Sequence, residues 1–425
     1  MRYALRATAA VLVAACVSVS SPARSQPAEL QVVPGELAAA LVAAEEGSIL
    51  HLSAGRYRGP ITIDRTLAII GEGEAVIEGD GSGTVITVDA AQVRVEGLTI
   101  TGSGQKLSSE DSGIFVTAEG DGSVIAGNHI HENLIGVYLK GPENAIVRDN
   151  LIEGLQELRV NERGNGVQLW NTPGSVVEGN RIRYGRDGIF VTTSRANRFH
   201  DNSFSDLRFA VHYMYTHDST VSDNVSTGNT VGYALMYSNR LVVTNNQSLG
   251  DSDRGIFFNF TNESTISGNS VVPWNELNSS EKCVFVYNSN FNTISGNHFQ
   301  GCNIGIHFTA GSEQNEIWGN NFVANRNQVK YVGTRELEWS RQERGNYWSD
   351  HVSFDLDGDG TANQVYRPNS VSDQILWRYP MAKLLMNSPV LQILQWAQSE
   401  FPALHPGGIT DSHPLMSPVA PGGAG

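Results

Sequence analysis

Met214 and Met236 are the only methionines between Met1 and Met381, and they stand 22 residues apart. His212 lies two residues before Met214, and His217 follows in the run Tyr215-Thr216-His217-Asp218. Thioether and imidazole suit a soft ion such as Cu(I), whereas Ca²⁺ and Mg²⁺ prefer carboxylates. His212, Met214, Met236 and His217 are therefore candidate copper ligands; the competing reading is a methionine pair used for packing. A harder donor set occurs in Asp355-Leu356-Asp357-Gly358-Asp359-Gly360. Alternating carboxylates followed by glycine match the front half of a calcium loop, but the twelfth position is Tyr366 where a complete EF-hand has Glu. Asp355, Asp357 and Asp359 are candidate calcium ligands or an Asx-rich turn without metal.

A 22-residue spacing joins two side chains only in an element with that period. The chain contains one. Asn followed by any residue and then an apolar residue recurs from Asn128 through Asn150, Asn180, Asn202, Asn224, Asn246, Asn269, Asn297 and Asn320. The spacings are 22, 30, 22, 22, 22, 23, 28 and 23, with insertions near Leu155 to Arg163 and Val272 to Glu281. Each copy holds three short strands with Gly/Asn corners. Strands this short satisfy their backbone by stacking in parallel on the next copy, which predicts an all-β parallel β-helix. The asparagine is expected to take left-handed backbone at a corner and to form ladders. After each Gly the first and third residues, such as Val211/Tyr213 and Ile256/Phe258, must point inward.

The second and fourth residues must then face out. These rows read Phe115, Tyr138, Gln168, Phe190, His212, Ala234, Phe257, Phe285, His307 and Thr117, Lys140, Trp170, Thr192, Met214, Met236, Asn259, Tyr287, Thr309. An aromatic, thioether-rich outer wall is a candidate binding face unless the insertions fold over it. A uronan epimerase or lyase could draw on His212, Tyr215, His217, Arg195 and Arg240. However, these rows hold one Lys and no acid, while a polyanion groove should be basic. A carbohydrate-binding module stacking sugars on Tyr138, Trp170 and Phe190 is a further alternative.

With 29 basic and 44 acidic residues the chain carries a formal −15, which argues against nucleic-acid binding. Arg2 and Arg6 ahead of an apolar run from Ala7 to Val19, then Ala23-Arg24-Ser25, read as a signal peptide over 1–25 and mark an exported protein. Val13-Ala14-Ala15-Cys16 offers a rival lipoprotein box. Cys283 and Cys302 either pair or stay as separate buried thiols. The domain reading is a capped β-helix over 26–333, an irregular segment with the Asp-rich loop over 334–379, and an amphipathic helical arm with a flexible tail over 380–425. An Ala-rich helix from Glu36 to Ala44, with a carboxylate in its first turn, caps the first coil. Leu384, Leu385, Ile393, Leu394, Ala397 and Phe401 can share one helix face, with Trp396 nearby, as a lid or a partner-binding arm. His405, His413 and Met416 in the tail could meet copper transiently.

Taken together, the signal, the Ala-rich cap, the 22-residue coils, Phe209-Ala210-Val211-His212-Tyr213-Met214-Tyr215, Asn346-Tyr347-Trp348-Ser349-Asp350 and the apolar arm resemble the NosD family. The resemblance implies a periplasmic, right-handed parallel β-helix protein that is not an enzyme. It would partner a membrane permease and an ATPase in an ABC-type complex, and meet a copper chaperone lipoprotein and nitrous-oxide reductase, whose copper–sulfide site the complex helps to mature. It also implies that the C-terminal arm docks on the permease and so reaches the membrane.

Overall fold

The computed structural model describes residues 28–275, 279–333, 335–385, 388–400 and 408–420. The signal segment with Cys16, and also Phe401 and His405, lie outside the described residues. Three parallel sheets wind into a β-helix. One has thirteen strands beginning with Glu29–Val32, a second has twelve from Ile61–Ile63 to Asn327–Tyr331, and a third has thirteen from Gly55–Arg58 to Tyr347–Trp348. Each coil passes from the second sheet to the first and then to the third, as in Ser112–Val116, Val124–Ala126 and His129–His131.

The inward alternation holds. Ile114, Val116, Val137, Leu139, Val211, Tyr213, Ile256, Phe258, Ile306 and Phe308 are all buried in one continuous core. At roughly 1.5–3 kcal/mol for each fully buried side chain, this stripe is what holds the coils together. Glycines that open the second-sheet strands let backbones approach: a Cβ on Gly188 would lie 2.5 Å from the Ala210 carbonyl oxygen.

The repeated asparagines form a buried ladder between the first and third sheets. From Asn128 to Asn346, each Nδ2 donates to the Oδ1 of the asparagine one coil on, at 2.9 or 3.0 Å. The expected left-handed backbone falls elsewhere. It belongs to the preceding residue, for example Gly127, Asp149, Asp223 and Asn245. Turning the corner one residue earlier leaves the asparagine side chain pointing inward, where it serves the backbone amides of the stack.

Helix Leu37–Ala43 packs Leu37, Ala40 and Leu41 against the first coil. Glu36 is its N-cap residue, so the helix has no acid in its first turn. At the far end the core closes on aromatic rings: Phe322 stacks on Trp348 at 4.3 Å, and Trp348 on Tyr366 at 4.6 Å. The segment expected to be irregular contains strand Glu336–Glu338 and helix Val371–Arg378, whose start carries a Ser370–Asp373 capping box.

Over 408–420 the tail differs from the flexible extension the sequence suggested. Gly408–Thr410 pairs with Glu336–Glu338. Asp411 is fully buried and ends the asparagine ladder, accepting from the Asn346 amide at 2.7 Å and from Trp348 Nε1 at 2.8 Å. Pro and Gly content misled because buried hydrogen bonds, not local propensity, fix this stretch. Among the described residues, no helix is long and apolar enough to cross a membrane.

Candidate metal centre

The strands of the second sheet around the methionines are long. Phe209–His217, which carries Met214, and its neighbour Asp187–Arg195 each run nine residues, and Val231–Met236 runs six, where the first and third sheets mostly use three. Met214 and Met236 are register partners, as their spacing requires, in the row Thr192, Met214, Met236, Asn259. Neighbouring strands put them ~4.8 Å apart along the sheet. Both are half-buried, so the pair is partly open to solvent.

His212 is less exposed than an outward position implies, at 8% of its surface. Its ring sits between Phe190, at 5.0 Å, and the edge of Phe209, at 4.9 Å. Its Nδ1 is 2.9 Å from Asp187 Oδ2. Arg208 grips the same carboxylate with Nε at 2.8 Å and Nη2 at 2.6 Å. Burial pushes the Asp187 carboxyl up, but the hydrogen bonds from His212 and Arg208 outweigh it and hold the group below its ordinary range. An ionised carboxylate only accepts, so Nδ1 carries the hydrogen and Nε2 is left with the lone pair in the neutral ring.

Other outward positions are also covered. Tyr138 is 2% exposed, under Leu155 of the first insertion, and its hydroxyl donates to Glu110 Oε1 at 3.3 Å. Ala234 is 0% exposed, between His212 and Phe257 in the register. The wall is thus a partly roofed face, because bulky neighbours and an insertion shelter it.

His217 is not part of the methionine row. Tyr215, at φ 51°, is left-handed and breaks the alternation between Met214 and His217. His217 Nδ1 accepts from the Asn239 amide at 3.1 Å. It lines a groove of about 580 Å³ with Arg195, Tyr215, Asp218 and Arg240. Arg195, Tyr215, His217 and Arg240 are four of the five groups an epimerase or lyase could draw on, but His212 does not line the groove and Arg240 is bound to Asp218 at 2.6 and 3.0 Å. From Tyr215 in the groove lining, Tyr237 and Phe260 continue a ring stack at 5.0 and 5.2 Å along three coils.

The carboxylates of Asp355, Asp357 and Asp359 converge within 4.8 Å. Asp355, however, accepts from the Gly358 and Gly360 amides at 2.6 and 2.9 Å, and Asp359 from Thr361 at 2.7 Å. The loop closes on its own donors, and those backbone bonds lower the Asp355 pKa. In the arm, Pro389–Glu400 is helical, and Leu384 and Ile393 are 82% and 62% exposed; Trp396 is exposed as well. The side chains of Leu385 and Leu394 lie outside the described residues. Cys283 and Cys302 form a disulfide, with Cα atoms 5.7 Å apart.

Asp187 and Arg208 escaped the sequence reading. A signal existed: Asp187 directly precedes Gly188, and 22 residues on the same row holds Phe209, so a lone acid opens a strand otherwise built for the core.

The family model described as "Periplasmic copper-binding protein (NosD)" matches residues 144–353. The "Probable ABC transporter binding protein NosD" of Pseudomonas aeruginosa is 43% identical over 373 residues, covering 86% of this chain and 87% of that protein. Its namesake in Stutzerimonas stutzeri is 40% identical over 375 residues, covering 86% of each. Among solved structures, the Dettilon tailspike protein aligns at TM-score 0.56 with 15% identity, covering 70% of this chain and 64% of that one. A mannuronic acid specific polysaccharide lyase from human gut microbiota aligns at 0.54 with 12% identity, covering 73% and 86%. The last two likenesses show the β-helix fold alone. With the two curated relatives aligned over most of their length, the chain belongs to the NosD family.

Proposed function

We propose that this protein handles copper as Cu(I) in the periplasm, on its second-sheet wall, for assembly of the copper–sulfide site of nitrous-oxide reductase. The observation that carries the reading is the register pairing of Met214 with Met236 beside His212. Asp187 fixes the His212 ring through Nδ1, so Nε2 is the nitrogen offered to a metal, as carboxylates commonly orient metal-binding imidazoles. Two thioethers and one imidazole make a soft, neutral donor set, which favours Cu(I) over harder cations and permits release. His217 stands apart from this set and has its own hydrogen-bond donor. The copper is cargo, and the chain itself performs no bond chemistry.

The relatives are named as ABC transporter binding proteins, and this supports a permease and an ATPase as partners. A chaperone lipoprotein would supply the copper and the reductase would receive its product. The exposed Leu384 and Ile393 make the arm the docking element. Excising everything after Met381 would also remove Asp411 from the end of the ladder, so the arm is tested by Leu384→Ser with Ile393→Ser. That variant is expected to stay folded and to lose co-purification with the permease–ATPase pair; retained co-purification refutes the arm's role.

The copper reading is tested by competition for Cu(I) against a chelator of known affinity. Met214→Ala with Met236→Ala is expected to weaken binding tenfold or more, about 1.4 kcal/mol. Unchanged affinity in this double variant removes the site. Incubation with alginate or pectin is expected to leave the polymer unmodified; an epimerised or unsaturated product would favour the enzyme reading instead.

A further inference from the structure

A second cluster of metal-binding groups lies on the third sheet, away from the methionine wall. In strand His129–His131 the two histidines flank the buried Ile130, so both rings leave the same outer face. Their centroids are 4.6 Å apart. The next coil places Glu153 in register with His131. Glu153 Oε2 lies 2.7 Å from His129 Nε2, and Glu132 lies 3.8 Å from His131 Nδ1. Beside them opens a cavity of about 610 Å³, lined in part by His131, Glu132, Glu153 and Tyr184. Along these two rows nearby coils carry Thr99 and Thr101, Arg181 and Arg183, or Ser203 and Ser205, and the one other histidine, His298, is paired with Gln300, so among the described coils the two imidazoles stand together only here.

We infer that His129, His131 and Glu153 form a binding site for a divalent transition-metal cation of borderline softness, such as Zn(II) or Cu(II). Two imidazole nitrogens and one carboxylate oxygen are a ligand set that such ions favour, with a further position left for Glu132 or water. The metal takes the place of the hydrogen shared between His129 Nε2 and Glu153 Oε2. Arg183 keeps its own bond to Glu153 Oε1, at 2.6 Å, and so holds the carboxylate in place. Among the described residues only the Asp355, Asp357 and Asp359 donors already lie within 4.8 Å of one another, so the His129, His131 and Glu153 donors must close on the metal by side-chain movement, for which His129 and Arg183 are partly exposed. The set holds no sulfur and is chemically distinct from the Met214/Met236 pair, so it does not depend on the copper reading.

The test uses the untagged chain, titrated with Zn(II) alone by calorimetry and with Cu(II) alone by electron paramagnetic resonance. One equivalent of either ion should bind, with coupling to two imidazole nitrogens in the Cu(II) spectrum. His129→Asn with His131→Asn should weaken Zn(II) binding a hundredfold and abolish that coupling, and Glu153→Gln should weaken it about tenfold. Met214→Ala with Met236→Ala should leave both measurements unchanged. Circular dichroism of the His129→Asn/His131→Asn variant should match the parent, since both side chains are on the surface. Failure of the parent chain to bind either ion, or unchanged affinity in the folded double histidine variant, overturns the site.

Discussion

Several rows of left-handed residues run along this molecule, and two of them are built from different amino acids. At the corner before the asparagine ladder the left-handed positions are Gly127, Asp149, Gly179, Asp201, Asp223, Asn245, Gly268, Gly296 and Gly319. These are the types that adopt such backbone at little cost. At the far edge of the second sheet the row reads Asn171, Thr193, Tyr215, Tyr237, Phe260 and Asn288. A β-branched residue and three aromatic ones occupy conformations that cost of order 1–3 kcal/mol each. The first row repeats one solution in every coil, and its chemistry is that of a turn. In the second row the strain falls on the coils that carry Met214, Met236 and the groove beside them. Repetition marks what the fold needs; departure from it marks where the fold serves something else.

The largest effect is expected where the repeat is strict. Asn224 Nδ2 donates to the Phe199 carbonyl at 2.9 Å, and its Oδ1 accepts from the Asn202 amide at 3.1 Å and from Asn202 Nδ2 at 3.0 Å. Asn224→Ala leaves those buried groups without partners, at about 1–3 kcal/mol each. Chemical denaturation should show a loss of roughly 3 kcal/mol or more. A loss below about 1 kcal/mol would mean that the ladder accompanies the corner without holding it, and the contrast between the two rows would collapse.

That contrast also explains what could be read in advance. The coil, its three strands, the inward stripe and the Met214–Met236 register all follow from one period, and a period survives in the sequence whatever surrounds it. Asp187 and Arg208 do not recur; a lone acid in an apolar row marks Asp187, but only its contacts with Arg208 and His212 in three dimensions give either residue a role. The burial of His212 and Ala234 was hidden for the same reason: alternation tells which way a side chain points, not what its neighbours in the next coil place over it. In the tail, the role of Asp411 depends on a partner 65 residues away in the chain, Asn346, which no local pattern announces.

An intermediate effect is expected at the site itself. Asp187→Asn keeps the shape and removes the charge that binds Arg208 and His212. Hydrogen bonds to charged groups contribute about 1.5–3 kcal/mol, and a loss in that range is expected at pH 7. Asp187 has a lowered native pKa, so the stability it adds is present above its ordinary value of 3.8 and disappears as pH falls through the native value. The gap between parent and variant should therefore be full at pH 6 to 7 and close below pH 4. A gap that widens on acidification would show that His212, not Asp187, dominates the cluster.

The smallest effect is expected in the strained row. Tyr237 is left-handed at φ 50° and stacks between Tyr215 and Phe260. Tyr237→Gly relieves the backbone by about 1–2 kcal/mol. It also forfeits two ring contacts at about 0.5–1.5 kcal/mol each and adds about 0.5–1 kcal/mol of chain entropy to the unfolded state. At mid-range the losses exceed the relief by about 1 kcal/mol, so the net change should be a loss of about that size, well below that of Asn224→Ala. Exchanging Asp223 for Tyr at the asparagine corner runs the comparison in reverse. There the same left-handed backbone, at φ 57°, offers no aromatic neighbours to stack on, because Asp201 and Asn245 flank it one coil either way. That variant should lose the full strain of 1–2 kcal/mol. If Tyr237→Gly were instead the more damaging of the two, stacking along the wall would be a principal support of the coil, and its aromatic composition would need no explanation beyond the fold.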